Sequence, residues 1–302
     1  MKRIFYAGAF LLCPMLLLSC AGSRKAKVTK VVNATQRNVD KENRQLNDLD
    51  KKLQAQLKNG NVDSALLRAL QPKLDKKRKE NAQMEAIVAD LETSMNHPSA
   101  FRKDYKKKMK SRVDLLQEHN KGSGHRSANY GMIEETLELA KPETYGLSVF
   151  FGSGQYKVPE QHKAETNKAF SPLLDGVVAA CNKNPKEKKD VYIVVRGYAD
   201  EQNIQEGTPL YTDLVAQFQL KSPDRQQLNL ALSKLRADEL SPVIQRLYRE
   251  KARHSKNARN ANASFYQEGY GEALPNSKIK DYKSVDERRR IVVVFWNVLP
   301  QI

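Results

Sequence analysis

"VYIVVRGYAD", residues 191–200, is a run of β-branched and aromatic residues closing on Gly197-Tyr198-Ala199-Asp200. It reads as a buried strand over 191–198. Working outward, the flanking patterns alternate between helix and strand. Upstream, residues 161–181 carry Phe170, Leu173, Leu174, Val177 and Val178 at inward helical spacing, and "LSVFFGS" (147–153) reads as an earlier strand. Downstream come a helix over roughly 226–250, a short strand "SFYQEGYG" (264–271) and a last strand "RRRIVVVFWNV" (288–298). The order β-α-β-α-β-β over 144–302 predicts an α+β sandwich with helices on one sheet face.

One residue disturbs this pattern. In "NLALSKLRADEL" (229–240) an apolar stripe of Leu228, Leu232, Leu240, Val243 and Leu247 has Arg236 in its middle. Periodicity alone leaves open whether Arg236 snorkels past the stripe edge or serves a purpose there.

The first half has a different period. Val32, Val39, Leu46 and Leu53 repeat every seven residues, with Leu49 interleaved, which predicts a coiled-coil seam beginning near Val28. Asn59-Gly60 breaks it, and Asp63 or Ser64 can cap a second helix with Leu67, Leu70, Leu74, Met84, Val88, Leu91 and Met95 on its seam. Lys77 and Asn81 interrupt that seam and Pro72 predicts a kink. After His97-Pro98-Ser99, the residues Phe101, Tyr105, Met109, Val113 and Leu116 mark a third helix. Residues 28–120 are thus expected to form a helical coiled-coil hairpin and spacer, and 121–143, opening with the glycine-bearing "KGSGHRSANYG", a linker. The lysine runs "KLDKKRK" (73–79) and "YKKKMK" (105–110) read first as solvated faces, with anionic lipid headgroups or acidic glycan as the competing reading.

A net charge of +17 raises nucleic acid as a partner, but the N-terminus argues against it. "MKRIFYAGAFLLCPMLLLSCAG" has a basic start, a short apolar run and a small-residue end, the pattern of an export signal over 1–19. Leu17-Leu18-Ser19-Cys20 resembles the bacterial lipobox, which implies cleavage before Cys20, acylation of its thiol and a lipidated tether over 20–27. The absence of aspartate after Cys20 implies, by the same resemblance, the periplasmic face of the outer membrane. The mature chain then keeps only Cys181, read as a buried small hydrophobe. The five histidines show no motif pairing, so no catalytic residue, metal ligand or cofactor is assigned.

Four local sequences carry a family resemblance: Gly197-Tyr198-Ala199-Asp200; Asn229-x-x-Leu232-Ser233-x-x-Arg236-Ala237; Gly269-Tyr270-Gly271-Glu272-x-x-Pro275; and Arg289-Arg290 opening the last strand. In this order they resemble the OmpA-like, or Pal-like, peptidoglycan-binding domain over about half the chain. The resemblance implies non-covalent binding of the peptidoglycan stem, usually through diaminopimelate, with Asp200 receiving the ligand's ammonium and Arg236 its carboxylate. An arginine at a helix start would gain from a ligand carboxylate beside the free backbone N–H groups. Asn229 is read as a helix cap or as the residue orienting the loop that carries Asp200. Arg289 and Arg290 are read as pairing with carboxylates around the site ahead of touching ligand, and the glycines of "GYGE" as turn residues.

The chain departs from the family pattern at Tyr198, where histidine is commonest, at Arg288, often asparagine, and in the long connection 201–227, expected to be a functional or mobile loop. The expected function is a lipid-anchored tether between outer membrane and peptidoglycan, and not an enzyme. The alternative is an accessory subunit of an envelope secretion or motility machine, with the coiled coil or the 201–227 insertion holding itself or a protein partner.

Overall fold

The computed structural model describes residues 13–59, 62, 64–97, 103, 105–139, 151–276 and 279–301, with side chains from residue 24 onward apart from 106, 107, 139, 161 and 163. The described chain is α+β: seven helices and a three-stranded mixed sheet. It divides into two compact units, one of residues 1–51 and 70–131, the other of 52–69 and 132–301.

Helices α1 (Cys13–Lys58), α2 (Ser64–Met95) and α3 (Lys110–Leu139, entered through a π-helical turn Tyr105–Met109) supply the first unit. Val28, Val32, Val39, Val88, Leu91, Val113 and Leu116 are buried in its core. The seven-residue repeat of α1 holds, but the interleaved seam positions Thr35 and Glu42 are polar and buried. Partners on the neighbouring helices satisfy them: Asn120 donates to Thr35 Oγ1 at 2.9 Å, and Arg126 donates from Nη2 to Glu42 at 2.8 Å. Asn81 is likewise buried and donates to Asn43 Oδ1 at 2.8 Å. Each buried polar group therefore matches one position on one neighbour, which favours a single register over a sliding apolar seam.

Two expectations for this half are corrected. α2 contains Pro72 in its interior, and Ala65 and Leu66, not the expected Leu67, are the buried residues of its first turns. Residues 121–139 are not linker: α3 runs through them, with Ser123, Tyr130, Ile133 and Leu137 continuing the buried spacing. A Cβ at Gly124 or Gly131 would meet nothing within 4 Å, so these glycines mark an open helix face, where they cost roughly 1 kcal/mol each against alanine without breaking the helix. Residues 140–143 lie outside the described residues. So do 1–12 of the expected signal; 13–27, including the expected tether, are helical within α1. No helix of the described residues is long and apolar enough to cross a membrane.

In the second unit, α4 (Lys163–Asn182) leads to β1 (Lys189–Gly197); then follow α5 (Pro209–Phe218), α6 (Arg225–Ala252), the short α7 (Lys256–Arg259), β2 (Asn262–Gly269) and β3 (Val292–Pro300). β1 is central, parallel to β2 and antiparallel to β3. Val191, Ile193 and Val195 pack with Phe170, Leu174 and Val177 of α4 and Leu240 and Ile244 of α6. The alternate residue Val194 faces the other side, in a cluster with Tyr198, Val293, Phe295 and Ala65 at the start of α2. β1 is therefore covered on both faces, as its unbroken apolar run requires.

The expected first strand, 147–153, is only partly described, and its described end, 151–153, is not strand. The buried stripe of α6 runs through Ser233, Ala237, Leu240, Ile244 and Tyr248; Val243 and Leu247 lie at its margin. The connection 201–227 is not one long loop. Thr208 caps α5 by accepting from Tyr211 N, Pro209 is its first residue, and Leu214 buries against Leu228, Ala231, Leu232 and Leu235 of α6.

Candidate functional site

The C-terminal end of β1 meets the N-terminal half of α6, and two glycines permit the approach. A Cβ on Gly197 would stand 1.8 Å from Ser233 O, and one on Gly269 2.7 Å from Leu230 O, both backbone atoms that a side-chain rotation cannot move. Gly269 is thus a close-approach residue and not a turn residue, whereas Gly271, at φ +52°, is a turn residue. Ser233 Oγ, wholly buried at this contact, donates to Leu230 O at 2.7 Å and accepts from Gly271 N at 2.8 Å. It ties helix and turn together.

α6 begins at Arg225, capped by Asp224 and Gln227 in a reciprocal capping box. Two expectations change in consequence. Asn229 is not the cap: its Nδ2 donates to Gln202 O at 3.1 Å and to Glu272 Oε1 at 2.7 Å, linking the segment after Asp200 to the turn after β2. Arg236 is three turns into the helix, too deep for the free N–H groups and the positive helix end to bear on it.

Arg236 is 1% exposed and does not snorkel. Nη1 donates to Tyr198 O at 2.7 Å, Nε donates to Gln155 O at 2.9 Å, and the Phe151 ring centroid lies 5.2 Å from the guanidinium carbon. Burial pulls its pKa down to about 10; Asp200 opposes that shift and Arg290 adds to it. Asp200, 4% exposed, accepts from Arg290 Nε at 2.9 Å on Oδ2, with Arg290 Nη2 also 2.9 Å from the same oxygen. Among the described residues Asp200 Oδ1 accepts no hydrogen bond. Asp200 and Arg236 are therefore close neighbours, but the acid's direct partner is Arg290 and the guanidinium is held by carbonyls.

Arg289 and Arg290 do not open β3. Arg289 ends a 3-10 turn, Glu287–Arg289, and β3 starts at Val292. Buried Arg289 donates from Nη1 to Glu201 Oε1 at 2.7 Å, to Lys283 O at 3.1 Å and to Ser284 O at 3.2 Å, and from Nη2 to Glu272 O. The Arg289 hydrogen bond holds the Glu201 carboxyl below the usual range.

Sequence reasoning assigned no role to Glu201, Arg225, Ser233 or Glu272; Glu201, Arg225 and Glu272 join Asn229 and Arg289 into one network, beside which the Asp200–Arg290 pair and Arg236 make their own contacts. Arg225 reaches Glu201 O at 3.1 Å and Glu272 Oε2 at 3.0 Å. Glu272 and Ser233 stood in the quoted motifs, and that place was the available signal. A shallow cavity of about 520 Å³ opens beside the network, lined by Glu201, Arg225, Gln226, Leu230, Tyr270, Glu272 and Ala273; Asp200, Arg236 and Arg290 do not line it.

Tyr198 does not face the acid. Its ring lies with Tyr270, centroids 5.4 Å apart, in the cluster on the sheet face away from α6. Arg288 is clamped by Asp286 and Asp281. Cys181 is buried, and burial pushes its thiol up to about 11, which suits packing and not nucleophilic chemistry. Among the described residues no group of His, Cys, Asp and Glu is arranged to hold a metal ion.

Comparison of the chain with protein-family models, with curated proteins and with solved structures finds no match.

Proposed function

We propose that the C-terminal unit binds the peptide stem of peptidoglycan without covalent chemistry, through an OmpA-like site centred on Asp200, Arg236 and Arg290. The chain would act as a lipid-anchored tether at the periplasmic face of the outer membrane, with Cys20 acylated. One observation carries the reading. Four sequence stretches spread over residues 200–290 supply Asp200, Asn229 with Arg236, Glu272, and Arg289 with Arg290, and these side chains converge where β1 ends, beside the N-terminal half of α6.

The chemistry suits a zwitterionic ligand end such as that of diaminopimelate. Asp200 has an unused carboxylate oxygen for an ammonium, and Arg290, partly exposed, offers a guanidinium to a carboxylate. Arg236 adds a buried positive charge that no directly bonded carboxylate neutralises among the described residues. Asn229, Arg225 and Arg289 hold the surrounding backbone, so a ligand meets a preformed surface.

The test is co-sedimentation with purified sacculi. Arg236→Ala is a poor probe, because it leaves Tyr198 O and Gln155 O without their donor and perturbs folding. Asp200→Asn, which preserves volume and an acceptor, is expected to abolish retention, and Arg290→Gln to weaken it strongly; because the Asp200–Arg290 pair is largely buried, both lower the thermal melt somewhat, and retention is compared at a temperature where both are folded. Undiminished retention of both folded variants would refute the site.

A further inference from the structure

Two basic stretches far apart in sequence meet at one end of the helical unit. α1 and α3 run parallel at a nearly constant offset: Asn38 bonds Asn120, Gln45 bonds Ser127, and the Arg24 guanidinium lies 5.7 Å from the Tyr105 ring centroid. α2 returns antiparallel, with Asn81 against Asn43 and Met95 against Thr29. The start of α1 and the turn leading into α3 therefore share the end of the unit from which the residues around Cys20 extend.

That end is strongly cationic. The described residues of 20–39 and 93–113 include eleven Lys and Arg and no Asp or Glu, in a chain whose net charge is +17. Arg24, Lys25, Lys27, Lys30, Lys103, Lys108 and Lys110 are exposed, and none forms an ion pair among the described residues. Asp90, on α2, is taken by Arg112. By the same register Glu92 and Asp114 stand level with Val32, inward of the cationic end. The other lysine run differs in being partly paired, Lys77 with Glu80 at 2.8 Å and Arg78 with Asp75 at 2.9 Å and Asp50 at 3.0 Å, while its exposed Lys76 and Lys79 lie along a helix side away from this end. A groove of about 600 Å³ at the cationic end is lined by Lys25, Thr29, Lys30, Asn33 and Arg37.

We propose that this end of the helical unit docks on an anionic bilayer, its lysines meeting phosphate-bearing headgroups. Unpaired surface cations gathered on one end match a negatively charged plane, whereas cations already paired along a helix side do not. The proposal rests on the lipid-anchor reading only for the membrane being close by. It supplies a second, electrostatic attachment beside the acyl group.

The test uses the chain from residue 20 carrying Cys20→Ser, the form proposed cleavage would leave, without its thiol. The first buried side chain among the described residues is Val28, so the described core is retained. In flotation, this chain should bind vesicles of phosphatidylethanolamine with phosphatidylglycerol, fail to bind phosphatidylcholine vesicles, and release with added salt. Reversing Lys25, Lys27, Lys30, Lys108 and Lys110 to glutamate should weaken binding by well over a hundredfold, at roughly fivefold per cation. Lys76→Glu with Lys79→Glu should change it far less.

Absence of binding to anionic vesicles, equal binding to neutral ones, or equal binding by the five-lysine variant would overturn the proposal. So would a control loss as large as that variant's. Sacculus retention of the same five-lysine variant reports on the wall-binding site alone, and acyl labelling of Cys20 in the unaltered chain reports on the anchor, so the three readings fail separately.

Discussion

Gly197→Ala is expected to destabilise the C-terminal unit severely, although it adds a single methyl group. The new Cβ would stand 1.8 Å from Ser233 O, 2.8 Å from Ser233 C and 3.2 Å from Ala237 N, all backbone atoms of α6. Relief to an ordinary contact near 3.4 Å requires about 1.5 Å of separation between helix and strand, larger than a packed interface absorbs by side-chain adjustment. That shift parts Ser233 Oγ from Gly271 N, now 2.8 Å apart, and draws Arg236 from Tyr198 O. Overpacking at about 1–3 kcal/mol, with about 1 kcal/mol for each of two buried hydrogen bonds, gives a loss of about 3–5 kcal/mol. The single tryptophan, Trp296 on β3, lies in this unit and reports its unfolding in urea apart from the helical unit. Gly124→Ala, where the Cβ meets nothing, is the matched control and should stabilise the helical signal by up to about 1 kcal/mol. A Gly197→Ala midpoint within about 1 kcal/mol of the parent would refute the close approach of α6 to β1.

In the helical unit, Glu42→Ala leaves Arg126 without its carboxylate, and since Arg126 is partly exposed the expected loss is about 2–4 kcal/mol by circular dichroism in urea. Leucine at both positions should recover much of that loss and relax the register, seen as a less cooperative melt. His119 is held below its usual pKa of 6.5 by burial and by Arg126. It stays neutral in the fold while the unfolded chain takes a proton, so stability should fall as pH drops through about 6.5. His119→Gln should flatten that dependence, and an unchanged pH profile would refute the assignment.

What the sequence revealed followed its strongest periodicities. The β1 run, the α6 helix and the Val32-Val39-Leu46-Leu53 repeat were legible because burial imposes them directly on residue type. The extension of α3 through 121–139 was not, because Gly122, Gly124 and Gly131 imitate a linker where the surrounding packing keeps them helical. Glu42 escaped notice because a buried charge is recognisable only through a partner 84 residues away. At the candidate site, motif spacing singled out Asp200, Asn229 and Arg236, which the fold brings to one end of β1, but not that Arg290 already occupies one oxygen of Asp200. That pairing depends on a turn before β3, which three consecutive arginines do not announce.

The central claim is tested most directly by calorimetric titration of the chain with a diaminopimelate-containing stem peptide. Saturable binding is predicted for the parent, lost in Asp200→Asn and strongly weakened in Arg290→Gln, with both variants folded. A parent that takes up no peptide, or an Asp200→Asn variant that binds as the parent does, would contradict the account.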